Sequence, residues 1–196
     1  MRSGTVALNG AAGAVLARSL TSLHALIEST VSEVRLAAAE PLRESINVRD
    51  FLNTVAASAD LLAGQHKTRF AVEPIDVTTV IEGDPQLLMS AVMNVLENAF
   101  KFTPAGGSVV LRSRAQGSRV VIEVEDECGG ISAGSDLFHA FADDRGVDRS
   151  GLGLGLSIAR RAVHAHGSDI HVRNTPGKGC TFAVDLPLAA RPNRVT

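Results

Sequence analysis

The stretch "DPQLLMSAVMNVLENAFKF", residues 84–102, is followed after three residues by "GGSVVLRSRAQGSRVVIEVED", residues 106–126, and this succession constrains the fold more than any other feature. In the first segment Asp84 is a helix cap and Pro85 suits the first helical position. Leu88, Val92, Val95 and Ala99 recur at steps of three and four, which makes one apolar stripe. The second segment alternates apolar and polar residues on both sides of Gln116-Gly117-Ser118, the pattern of a hairpin with a polar outer and an apolar inner face. A striped helix and a one-faced hairpin must cover each other. The same logic recurs along the chain. "VRDFLNTVAASADLLAGQ" reads as a helix ending near Gly64, "TRFAVEP" and "VTTVIEG" as short strands, and "SDIHVRNTPGKGCTFAVDLPL" as a second strand pair. The expected fold is α+β: a two-layer α/β sandwich with helices on one face of a mixed sheet.

Ahead of this region, Leu16, Leu20, Leu23, Ile27, Val31 and Val34 predict a long N-terminal helix with one apolar stripe, and Pro41 breaks it. The expected division is therefore 1–41, a helical region too short for its own core; 42–190, the sandwich; and 191–196, a tail. The apolar stripe calls for a partner helix, as in half of a helical hairpin or a dimer bundle. With 45% hydrophobic residues the chain can build a core. A formal net charge of −2 with interspersed signs predicts no nucleic-acid and no anionic-membrane footprint. "SGTVALNGAAGAVLA" is shorter than the ~20 apolar residues of a membrane span and is not a secretory signal. Cys128 and Cys180, far apart in sequence, fit a reducing compartment and argue against a disulfide framework or a zinc site. A cytoplasmic chain is expected, with any membrane tether of a longer parent outside it.

Three features carry candidate chemistry. Asn94, Asn98 and Lys101 stand at i, i+4 and i+7, on one side of the 84–102 helix. They read either as a solvated polar face or as an amide oxygen and an ammonium placed for a magnesium–phosphate group. Asp126 ends an apolar strand and precedes Glu127, Cys128, Gly129 and Gly130. It reads either as a strand-end turn or as a fixed carboxylate that accepts a hydrogen bond from an exocyclic amine. In "DRSGLGLGLSIARRAVHAHG", residues 148–167, Gly151, Gly153 and Gly155 run into a helical pattern. That run serves either as loop punctuation or as a phosphate cradle at a helix N-terminus.

The ordered series "NVLENAFKFT", "VEDECGGI", "LFHAFA", "GLGLGLSIARRAVHAHGSDIHV" and "GKGCTFAVDLP" resembles the N, G1, F, G2 and G3 boxes of the ATP-binding domain of sensor histidine kinases, over roughly residues 48–188. That domain belongs to the wider superfamily of gyrase, Hsp90 and MutL ATPases, with the Bergerat ATP-binding fold. The resemblance implies Mg-ATP bound under a mobile lid at residues 132–150, with Phe138 and Phe141 as packing handles. It implies that Asn98 ligates Mg2+, that Lys101 contacts phosphate and that Phe102 lies against the nucleotide. Asp126, with Gly130 beside it, receives the adenine amine. Gly151, Leu152, Gly153, Leu154 and Gly155 line the phosphates, and Thr181 helps with adenine. Arg145 and Arg149 stand in the lid. Members of the family usually read D-x-G-x-G, whereas here Cys128 replaces the first glycine; if that position needs a positive φ, its Cβ is strained. Nothing near Cys128 in the sequence lowers its pKa, so no redox role is expected for it.

Gyrase-like and Hsp90-like relatives carry a water-activating glutamate where this chain has Asn94. An amide cannot take a proton, so the resemblance implies a kinase rather than a hydrolase, with Asn94, Asn98 and Lys101 as its catalytic residues. Glu97 points to another side of the helix. A histidine kinase also needs a phosphoacceptor, presented in the family as H-[ED]-x-x-x-P. The chain lacks that sequence, and His24 does not fit it. Residues 15–40 resemble the second helix of the dimerisation hairpin, so the chain is expected to be a fragment that starts after the histidine-bearing helix. His164, His166 and His171 are expected to have no ligand-like partners. The expected partners are a response regulator receiver domain and a second copy of the parent through the N-terminal helix. The alternative is a nucleotide-dependent switch module of a degenerate kinase, without phosphotransfer.

Overall fold

The computed structural model describes residues 43–74, 79–131, 137, 138 and 154–189, with the isolated residues 13, 27 and 30. The expected N-terminal helix, save for those isolated positions, the boundary at Pro41 and the tail 191–196 lie outside the described residues. In chain order the elements are β1 (Glu44–Asn47), α1 (Val48–His66), β2 (Arg69–Val72), β3 (Val80–Gly83), α2 (Pro85–Phe102), β4 (Ser108–Gln116), β5 (Arg119–Asp126), α3 (Gly155–His164), β6 (Ile170–Thr175) and β7 (Gly179–Pro187). Five strands form one sheet in the order β2-β4-β5-β7-β6, and β1 pairs with β3 in a separate small sheet. β2 runs parallel to β4, and every other pairing is antiparallel. The sheet is thus mixed, as expected.

α2 is the central helix. Asp84 caps it, accepting from the N–H groups of Gln86 and Leu87, and Pro85 fills the first turn where no N–H partner is needed. Its stripe of Leu88, Ala91, Val92, Val95, Leu96 and Ala99 is buried. It packs against Val109, Leu111, Ile122, Val124, Phe182 and Val184 of the sheet in one core. At the far end of the helix Phe100 meets Phe70 edge to face, with ring centroids 5.5 Å apart. The opposite face of the sheet is charged, with Arg112 paired to Glu123 at 3.0 Å. This polar-out, apolar-in alternation is what a sheet covered on one face requires.

α1 runs two residues beyond the expected end near Gly64. Lys67 adopts the left-handed conformation, φ 56°, and its N–H closes the helix on Ala63 and Gly64. His166 is a structural strut held by two backbone groups. Its Nδ1 donates to the Ala162 carbonyl at 2.7 Å, and its Nε2 accepts from the Asp84 N–H at 2.9 Å. This buried imidazole ties the end of α3 to the start of α2. His164 also has a partner, Asp169 at 2.9 Å.

Candidate active site

Asp126 stands at the last position of β5, and its side chain is buried. Its Oδ1 accepts two backbone hydrogen bonds at 3.0 Å each, from the N–H groups of Cys128 and Cys180. Both backbone bonds fall on Oδ1, so neither backbone donor occupies the other carboxylate oxygen. Gly179, beside Cys180 on β7, makes this approach possible, because a Cβ there would collide with the Asp126 carbonyl oxygen. The following loop is laced to the β6–β7 turn. Gly129 N–H donates to the Lys178 carbonyl at 3.1 Å, and Gly177 N–H donates to the Gly129 carbonyl at 2.8 Å. Asn174 adds a two-point clamp, accepting from Ile131 N–H at 2.9 Å and donating to the Ile131 carbonyl at 2.7 Å.

The strain expected at Cys128 is absent. Positive φ angles fall on Gly129 and Gly130, at 83° and 94°, and Cys128 stays in the ordinary region. Burial pushes the Cys128 thiol up to about 12, and the Asp126 carboxylate beside it adds to the push. Cys128 and Cys180, 52 positions apart, bring their sulfurs within 3.4 Å, so distance along the sequence was a poor guide to their separation. With Asp126 they form the cluster of potential metal ligands among the described residues, all within 4.8 Å of one another. Two sulfurs suit a soft ion rather than Mg2+, which takes oxygen ligands.

Strand alternation places Thr181 away from this carboxylate. Asp126 is paired with Cys180, whereas Thr181 is paired with Glu125 on the other face, where its hydroxyl accepts from Arg173 at 3.4 Å. The adenine role expected for Thr181 therefore does not fit its position, and Cys180 occupies the Asp126 side.

Asn94 lies where α2 meets the start of α3. Its Nδ2 donates to the Ser90 carbonyl at 2.9 Å, and its Oδ1 would be 2.8 Å from a Cβ on Gly155. Gly155 thus allows the two helices to approach closely at this amide. α3 starts after Leu154 with no side-chain cap among the described residues, which leaves backbone N–H donors at the positive end of the helix dipole. Further along α2, Asn98 is half-buried and has no side-chain hydrogen bond among the described residues. Lys101 extends its ammonium over the Phe102 ring, 5.2 Å from the centroid. Phe138 packs under the Arg160 guanidinium, 4.9 Å from its ring centroid, and Arg160 is in turn paired to Asp169 at 2.9 Å. Gly151, Leu152 and Gly153, with Phe141, Arg145 and Arg149, lie outside the described residues.

Residues 83–190, more than half of the chain, match the family described as "Histidine kinase-, DNA gyrase B-, and HSP90-like ATPase". The chain belongs to this ATPase family. Similar members are sensor proteins. The Caulobacter vibrioides sensor protein DivL is 32% identical over 95% of this chain and 24% of its own length. The Synechococcus elongatus circadian input-output histidine kinase CikA is 32% identical over 83% of this chain and 23% of its own. The Escherichia coli sensor protein TorS is 36% identical over 58% and 12%. The chain therefore spans a quarter or less of the length of these relatives.

The ATPase fold is also that of solved histidine kinases. Full-length ShkA, crystallised with AMPPNP, matches with a TM-score of 0.76 and 26% identity over 96% of this chain and 41% of its own. The catalytic domain of the histidine kinase ThkA matches with a TM-score of 0.64 and 21% identity over 74% and 97%. Within this family member, Gly179, Asn174 and Cys180 were missed as site-forming residues. For Cys180 the signal was the period of two along β7, which puts Cys180, Phe182, Val184 and Leu186 on one face.

Proposed function

We propose that this chain is the Mg-ATP-binding catalytic region of a two-component sensor histidine kinase, transferring the γ-phosphoryl group of ATP to a histidine of its parent protein for relay to a response regulator. The observation that carries this reading is the Asp126 carboxylate, whose Oδ1 is held by two backbone N–H groups. Asp126 would accept the adenine amine on Oδ2, with Gly130 beside it. Leu154, Gly155 and the α3 N-terminus would face phosphate, together with Gly151, Leu152 and Gly153. The Asn98 amide oxygen would suit a hard cation such as Mg2+, the Lys101 ammonium would suit phosphate, and Phe102 would lie against the nucleotide. When bound, Mg-ATP supplies the activated phosphoryl group and part of the charge neutralisation that its transfer needs.

The residues at the α2–α3 contact favour transfer over hydrolysis. Asn94 offers an amide where a hydrolytic enzyme needs a base, and an imidazole acceptor needs no strong base. Phe138 against Arg160 would give a lid over 132–150 a point of attachment to α3. Residues 1–41 would supply the second dimerisation helix, 42–190 the catalytic domain and 191–196 a tail, in a cytoplasmic region that pairs with a second copy. No described helix is long and apolar enough to cross a membrane.

The test supplies a histidine-bearing dimerisation hairpin in trans with radiolabelled ATP. Acid-labile, base-stable label on the hairpin, lost in the Asn98→Ala variant, is the expected result. Tight Mg-ATP binding with no label on any histidine would replace phosphotransfer with the switch reading.

A further inference from the structure

We propose that Cys128 and Cys180 are a dithiol–disulfide couple, closed by a small disulfide oxidant such as oxidised glutathione, and that closing it weakens nucleotide binding at Asp126. The second half rests on the proposed nucleotide site; the first rests on the thiols alone.

The two sulfurs are already in contact at 3.4 Å. A disulfide bond is ~2.05 Å long, so closure needs an approach of about 1.4 Å. Cys180 is buried near the start of β7, paired with Asp126 of β5 on one side and Asn174 of β6 on the other, and cannot travel far. Cys128 lies just past the end of β5, half-buried and followed by two glycines with positive φ, so the approach falls on its side. It is also the less buried of the two cysteines.

The atoms balance. The Cys128 sulfur attacks one sulfur of oxidised glutathione, forming a mixed disulfide and releasing one glutathione thiol. The Cys180 sulfur then attacks Cys128, releasing the second glutathione thiol. The protein has lost two hydrogens and gained one S–S bond, and oxidised glutathione has been reduced to two thiols. Both steps need a thiolate, and the upward push on Cys128 makes the exchange slow at neutral pH.

The link to nucleotide is geometric. The residues to be joined are the two whose N–H groups hold Asp126 Oδ1, each at 3.0 Å. Drawing Cys128 toward β7 moves one donor relative to the other, and the carboxylate loses the orientation they jointly impose.

The experiment incubates the chain with oxidised glutathione, counts thiols after denaturation, measures the intact mass and titrates Mg-ATP before and after reduction. The expected result is simultaneous loss of both thiols and of two hydrogens in mass. The oxidised chain should bind Mg-ATP at least fivefold more weakly, with affinity restored by reductant. The Cys128→Ser variant should form no internal bond and show no oxidant effect. Two persisting thiols, a glutathione adduct that remains the end product at equilibrium, or a disulfide-linked dimer would overturn the couple. An internal disulfide with unchanged Mg-ATP affinity would overturn its link to Asp126. A chain that takes no nucleotide in either state counts against the nucleotide site, while the thiol count still decides the couple.

Discussion

Asp126 and Cys180 face each other across the β5–β7 ladder, and the Cys180 N–H donates 3.0 Å to the Asp126 carboxylate rather than only to backbone. One strand therefore ends in a functional side chain that its neighbour strand holds in place. This coupling between sheet register and site makes several positions outside the recognised motifs sensitive to change.

Gly179→Ala should damage both fold and site. The new Cβ would meet the Asp126 carbonyl oxygen, a backbone atom that can yield only if β5 and β7 separate. Overpacking of this kind costs about 1–3 kcal/mol. Urea denaturation should show a lower midpoint with an unchanged slope, and Mg-ATP affinity should fall as well.

His166→Leu should cost about 1–3 kcal/mol, because it leaves the buried Asp84 N–H without its acceptor at the start of α2. The side chains are of similar size, so the loss reports the hydrogen bond more than a cavity. Thermal unfolding of the variant, measured beside the parent, checks this.

Asp169→Asn should flatten the acid limb of the stability curve. Arg160 foremost, with His164 and the Ile170 N–H, holds the Asp169 carboxyl well below the usual carboxylate range. A depressed folded pKa stabilises the fold above the unfolded value of ~3.9 and loses that contribution as pH falls below it. The parent should be the more stable protein at neutral pH, and the difference should shrink steadily below about pH 4. Loosening Arg160 also weakens its contact with the Phe138 ring.

Much of this arrangement was legible from local chemistry. Asp84 and Pro85 announced α2, the alternation around Gly117 and Ser118 announced the β4–β5 hairpin, and the position of Asp126 at a strand end followed from both. What stayed hidden depended on register between distant segments. The contact of Cys128 with Cys180 exists only because β7 pairs with β5, and the strut at His166 only because α3 ends beside the start of α2. The face of Thr181 was readable in principle. Cys180, Phe182, Val184 and Leu186 alternate with Thr181, Ala183 and Asp185, and the buried set had to share a face with the core.

The central claim is that Asp126 anchors a nucleotide, and calorimetric titration of the chain with Mg-ATP beside its Asp126→Asn variant tests it most directly. The account predicts one saturable site in the parent and an affinity at least tenfold weaker in the variant, about 1.4 kcal/mol. A folded parent that gives no saturable binding, or a variant that binds as tightly, would contradict it.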